Sequence, residues 1–238
     1  MSILEIKNLK VGPKNGNILN AVSFSLDKGD SLAVIGPNGA GKTTLFRAIL
    51  GAVPYSGEII KDKNIRIGYV PQKVDLERDL PITVGEFLSL RTHAVAAKNW
   101  DGDHSYAGAL KSVGLGKEFL NTKIGELSSG ELQRSLIAWA VVGHPDLLMF
   151  DEPTASVDIA GQETVYELLH KLQDEHGLTL MLISHDLSVI YKYANKVLCL
   201  NKAQTCFGPP SEVLSSAELE KLYGGGGKLY HHMHQNGN

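Results

Sequence analysis

The chain has 238 residues, of which 43% are hydrophobic and 21% charged, with a formal net charge of -3. This is enough chain to bury the core of one α/β domain, and the slight negative charge argues against electrostatic binding of nucleic acid or anionic lipid. No apolar run approaches the roughly 20 residues that a membrane-spanning helix needs, and the alternating first segment does not read as a signal peptide, so the expectation is a protein that stays in the cytosol.

Residues 3–11 and 21–26 alternate in polarity and predict strands with one wet face, separated by a loop over 12–17. Residues 31–35 form a short apolar run that leads into a glycine-rich stretch, and 43–50 predict a helix. Further apolar runs at 147–150, 178–183 and 196–200 lack alternation. They predict strands buried on both faces, hence a mostly parallel sheet, with 164–173 as a crossover helix. The middle, about 76–136, carries helical stretches at 84–91 and 105–113 and no convincing buried strand. It reads as an inserted helical subdomain of a domain spanning 1–223. Residues 224–238 read as a flexible tail: four glycines from Gly224, then His231, His232 and His234, which together are a candidate weak zinc site. Cys199 reads as core and Cys206 as incidental. Their spacing offers no metal or redox pattern, and cytosolic thiols are normally reduced.

The strongest chemical signal is Gly36-Pro37-Asn38-Gly39-Ala40-Gly41-Lys42-Thr43, with Thr44 following. It matches G-x-x-x-x-G-K-[ST] between a predicted strand and a predicted helix, the context the motif requires. Glycines let successive backbone N–H groups turn toward phosphate oxygens, and the helix dipole adds positive charge. Lys42 supplies a point charge, and the Thr43 hydroxyl is a candidate magnesium ligand. Asp151 and Glu152 follow the apolar run at 147–150. Asp151 is placed to hold magnesium, and Glu152 to act as general base on an attacking water.

A third motif narrows the reading. Leu127-Ser128-Ser129-Gly130-Glu131-Leu132-Gln133-Arg134 resembles the signature of the ABC ATPases, usually written L-S-G-G-Q-x-Q-R. It departs from that pattern at Ser129 and Glu131. Ser128 and Glu131 also fit a helix capping box. Gln72 after Tyr69-Val70-Pro71, Asp158 in Ala155-Ser156-Val157-Asp158, and His185 in Ile183-Ser184-His185-Asp186 resemble the family's remaining loops. The likeness covers about 225 residues, and the segments around 68–84 and 197–201 resemble metal-ion importers of the zinc, manganese and iron group.

The resemblance implies an ABC-ATPase fold of the P-loop NTPase class: α/β, a mostly parallel sheet core, an antiparallel β subdomain and an inserted α-helical subdomain. It implies ATP and Mg2+ as cofactors. Glu152 and His185 would be catalytic, residues 36–44, Gln72, Ser128, Ser129, Gly130, Glu131 and Asp158 would contact nucleotide, and Thr43, Gln72 and Asp151 would hold the metal. It further implies a homodimer at the cytoplasmic face of the cell membrane, serving an integral permease and, indirectly, an extracytoplasmic metal-binding protein. A permease helix would dock beside Gln72, over about 73–90, where Leu80, Phe87 and Leu88 are apolar candidates that fit the subdomain core equally well, Phe87 above all. The family's adenine-stacking aromatic would fall near Pro13, yet no Tyr, Phe or Trp lies between Met1 and Asn20.

Overall fold

The computed structural model describes residues 2–13, 18–72, 80–91, 105–152 and 159–223. Nine strands make one mixed sheet: β1 (Ser2–Val11), β2 (Leu19–Asp27), β3 (Ser31–Ile35), β4 (Ser56–Lys61), β5 (Ile67–Val70), β6 (Leu147–Asp151), β7 (Thr179–Ile183), β8 (Lys196–Asn201) and β9 (Ala203–Gly208). Their order is β4-β1-β2-β9-β8-β3-β7-β6-β5. The run from β8 through β3, β7 and β6 to β5 is parallel, while β1 with β2 and β4, and β8 with β9, are antiparallel.

Strands β3, β6 and β7 are buried along their whole length. Each sends alternate side chains to opposite faces. Ala33, Ile35, Leu148, Phe150, Leu180 and Leu182 join one apolar cluster, while Leu32, Val34, Leu147, Met149, Met181 and Ile183 join the other. This is why their sequences are apolar except at the ends, where Ser31, Asp151 and Thr179 sit: a strand covered on both faces favours apolar residues throughout. Helix α1 (Lys42–Ile49) packs into the second cluster with β1 and β2. Helices α2 (Val84–Ser89), α3 (Tyr106–Ser112), α4 (Ser129–Val142), α5 (Ile159–His176), α6 (Leu187–Tyr193), α7 (Pro210–Val213) and α8 (Ser216–Tyr223) follow in chain order, and the first cluster draws on all of them.

Between β5 and β6 the described chain is helical. Thr83 and Glu86 form a capping box at the start of α2, and Ser128 and Glu131 form another at the start of α4, so each helix entry has two backbone N–H groups satisfied locally. Phe87 stacks on Trp139 at 5.8 Å, and the Arg91 guanidinium lies 5.0 Å above the same indole. Phe87 and Leu88 are therefore interior, with Leu88 fully buried. Of the two readings open for Leu88, docking or core, its burial supports core; among the described residues of that stretch, Leu90 is an exposed apolar side chain.

The reading of the cysteines also changes. Cys206 lies on β9, directly opposite Cys199 on β8, and the two are joined as a disulfide. They are seven positions apart in sequence; the hairpin, which the sequence pattern does not announce, brings them together.

The β2–β3 turn anchors three strands. Buried Asp30 accepts from Lys196 Nζ at 2.7 Å, Asn195 Nδ2 at 3.0 Å and the Asp27 amide at 2.7 Å. Burial opposes its charge, but these donors outweigh burial and hold the carboxyl below the ordinary aspartate value. Stability from such a group is present above the unfolded aspartate pKa of about 3.9 and is lost as pH falls through the lower folded value. Asp30→Asn is expected to cost about 2 kcal/mol at pH 7. In urea melts at pH 7 and pH 3, the deficit relative to the parent should shrink at the lower pH.

Candidate functional site

Strand β3 stops at Ile35, and the chain turns through residues 36–41 before α1 begins at Lys42. Gly41 adopts φ 98°, and a side chain there would meet Leu19 and the Ile18 carbonyl. Gly36 lies so close against the Leu200 carbonyl of β8 that a Cβ would overlap it. Both positions therefore require glycine. Lys42 is buried, and its Nζ donates to the Gly36 carbonyl at 2.8 Å and the Pro37 carbonyl at 3.2 Å. Burial holds its pKa below the ordinary lysine value, while Glu152 and Asp151 pull in the other direction.

The Thr43 hydroxyl donates to Asp151 Oδ1 at 3.2 Å, and the Tyr69 hydroxyl approaches Oδ2 at 3.4 Å. Asp151 is almost fully buried. Burial raises its pKa above the ordinary value, the Thr43 bond opposes that, and neighbouring Glu152 adds to the rise. Tyr69 is pushed up to about 12, by burial first and by Asp151 second. A hydroxyl and a carboxylate oxygen side by side suit a hard dication that would complete its shell with phosphate oxygens and water. Among the described residues there is no cluster of three or more His, Cys, Asp or Glu that would hold a metal without such help.

Glu152 sits just past β6 with φ 51°, a left-handed conformation that is uncommon for a residue with a side chain. Both its oxygens are engaged. Gln72 Nε2 donates to Oε2 at 2.5 Å, and His185 Nε2 lies 2.6 Å from Oε1. A cavity of about 420 Å3 opens here, lined by Ile18, residues 38–44, Gln72 and Glu152. The structure thus brings together the phosphate loop, Thr43, Thr44, Gln72, Asp151, Glu152 and His185. Ser128, Ser129, Gly130 and Glu131 are not among the lining residues; they lie at the start of α4, where the Ser128 hydroxyl donates to Glu131 Oε2 at 2.7 Å. Asp158 lies outside the described residues, as does the histidine tail.

Two contributors have no motif to reveal them. Tyr69 belongs to a four-residue strand and reaches Asp151 only because β5 pairs with β6. Ile18 is the large, partly exposed apolar side chain of the cavity. Pro13, the position counted for an adenine contact, is exposed and does not line it.

The profile of the ABC transporter family matches residues 19–155, more than half of the chain and all of the phosphate-loop and acid-pair geometry. The chain belongs to the ABC transporter family. As a cassette of that family it binds and hydrolyses ATP. It is 38% identical over 241 residues to the zinc import ATP-binding protein ZnuC of Buchnera aphidicola subsp. Baizongia pistaciae, an alignment covering 98% of each chain. An inward-facing metal-chelate type ABC transporter superposes with TM-score 0.80 at 29% identity, covering 93% of this chain and 89% of that one. A dimeric ATP-binding cassette bound to ADP and Pi in a post-hydrolysis state superposes with TM-score 0.71 at 25% identity, covering 87% of this chain and 98% of that one. ABC cassettes dimerise and work with membrane permease components. No helix among the described residues is long and apolar enough to cross a membrane.

Ile18 is an aliphatic side chain at the cavity, and the expectation that follows is binding dominated by the phosphates. GTP is expected to displace ATP within about tenfold of equal affinity, and Ile18→Tyr to tighten ATP more than GTP. Competition titrations with a fluorescent nucleotide measure both.

Proposed function

We propose that this chain is the ATP-hydrolysing subunit of a metal-ion importer, with zinc as the cargo, acting as a homodimer at the cytoplasmic face of a membrane permease that receives metal from an extracytoplasmic binding protein. The observation that carries the hydrolytic part is the Glu152 carboxylate, held between Gln72 and His185 at the mouth of the phosphate-loop cavity. The nearly full-length likeness to a zinc import subunit supports the cargo. Ser128 and Gly130 are not among the residues lining the cavity, which fits a site completed by the signature of a second subunit.

In this reading the loop N–H groups and Lys42 neutralise the β- and γ-phosphates, so charge that develops during transfer meets donors already in place. Thr43, Asp151 and the Gln72 side-chain carbonyl would hold magnesium, which would offset phosphate charge. Glu152 accepts a proton from the attacking water. His185 fixes one carboxylate oxygen, leaving the other to face the water once Gln72 moves aside. Gln72 therefore reports nucleotide state to the chain that follows it, which includes the region proposed for permease docking.

Glu152→Gln preserves shape and removes the base. ATP turnover should fall about 100- to 10,000-fold, and an ATP-bound dimer should accumulate in size-exclusion chromatography. Unchanged turnover removes Glu152 from this role. In proteoliposomes holding the permease, with the binding protein supplied, zinc uptake should require ATP and stop with Glu152→Gln. ATP-driven uptake of manganese or iron in place of zinc would reassign the cargo and leave the ATPase reading intact.

A further inference from the structure

Cys199 and Cys206 face each other across the antiparallel β8–β9 pair, with Cα atoms 4.8 Å apart. The closer type of opposed pair in an antiparallel ladder has a Cα separation of about 4.5 Å, and disulfides span about 4.4–6.8 Å. The bond can therefore open and close without displacing the strands. On its other side Cys199 is the register partner of Ile35, the last residue of β3 before the phosphate loop.

The same hairpin borders that loop in two further places and is tied to β2 in a third. The Leu200 carbonyl packs against Gly36. At the tip, the Lys202 amide donates to the Ala40 carbonyl at 3.0 Å, and the Lys202 carbonyl accepts from Asn20 at 2.7 Å. The β8–β9 register also slips between Cys199 and Leu200. The hydrogen-bonded ladder is thus irregular at the step that links the cysteine pair to the loop contacts.

We propose that Cys199 and Cys206 form a reversible thiol–disulfide pair whose oxidation state sets how tightly the phosphate loop holds nucleotide. Cys206 is partly exposed and Cys199 is buried, which orders the chemistry. The Cys206 thiolate attacks a small-molecule disulfide, forming a mixed disulfide and releasing one thiol. The Cys199 thiolate then displaces the second thiol and closes the protein bond. The protein loses two protons and two electrons, and the small disulfide is reduced to two thiols. In the closed form, residues 199–206 make a short covalent ring whose tip is bonded to Ala40. The hairpin then has fewer ways to fray, so the loop stays arranged for phosphate before it arrives. In the open form only the irregular ladder holds the tip.

The test uses the full chain in two redox states. Protein equilibrated with oxidised glutathione is compared with protein kept in dithiothreitol. Alkylation and mass spectrometry count free thiols, calorimetry gives ADP affinity, and thermal melts give stability. The oxidised protein should have no alkylated cysteine, melt about 5 °C higher and bind ADP at least about threefold more tightly. Cys206→Ser should behave as the reduced protein in both buffers. Two alkylated cysteines after oxidation, or complete bond formation with equal or weaker ADP affinity, overturns the proposal. Because the parent chain supplies both states, the answer stands even where the variant folds poorly.

Discussion

The carboxyl ends of the parallel strands lie along one edge of the sheet, and the chemistry follows from that placement. Val34 is in register with Ile183, Ile183 with Asp151, and Phe150 with Val70. Gly36 and Glu152 come one residue after their strands, and Gln72 and His185 come two residues after theirs. Four segments far apart in sequence therefore end within reach of one cavity, as open parallel sheets dictate for their ligands. Register is the constraint here. A slip of one residue would turn every side chain of a strand to the other face and would carry Asp151 away from Thr43. Burial on both faces makes such a slip costly, since Phe150 and Met149 occupy opposite cores.

That rigid edge holds groups that do little for stability. Lys42 and Asp151 are buried, and burial pushes each toward its neutral form. Glu152 keeps a left-handed backbone at a cost of about 1–3 kcal/mol. The network offsets part of this by giving both Glu152 oxygens a partner, at 2.5 and 2.6 Å. The arrangement satisfies the polar groups as they stand, yet it leaves Lys42 folded onto its own loop carbonyls. Those are weaker partners than phosphate oxygens for a cation. In the proposed function, nucleotide binding would exchange these carbonyls for phosphate oxygens around a charge already in position.

Elements buried on both faces were the ones legible in the sequence. Strands β3, β6, β7 and β8 read as apolar runs, and the phosphate loop, the acid pair and His185 follow such runs at fixed offsets. Strands β4, β5 and β9 had no such signal. β4 is a largely exposed edge strand beginning Ser56-Gly57, β5 has four residues, and β9 is only partly covered. Missing β9 hid the cysteine pairing, because a separation of seven carries no meaning until a hairpin folds it. Missing β5 hid Tyr69, whose contact with Asp151 depends on cross-strand register. Ile18 rather than Pro13 lines the cavity, because a count along the chain cannot say which residue borders the site.

Among the described residues, one side chain that ties the helices between β5 and β6 to the site is Arg91. Arg91 lies over Trp139 of α4 and donates to the carbonyl of Ile67, the first residue of β5. Burial disfavours its charge, yet the guanidinium keeps both partners, since a planar cation can stack and hydrogen-bond at once. Strand β5 is only four residues long, and Gln72 follows it. A displacement of α4, which begins at Ser128 and Glu131, is therefore felt at β5 through Arg91, and from there at the Gln72–Glu152 bond. The reverse holds by the same contacts: loss of that bond frees the end of β5 from the acid while its beginning stays fixed to α4. The start of α4 and the Glu152 carboxylate are thus linked, without direct touch, through the part-buried Arg91–Ile67 bond and the exposed Gln72–Glu152 bond.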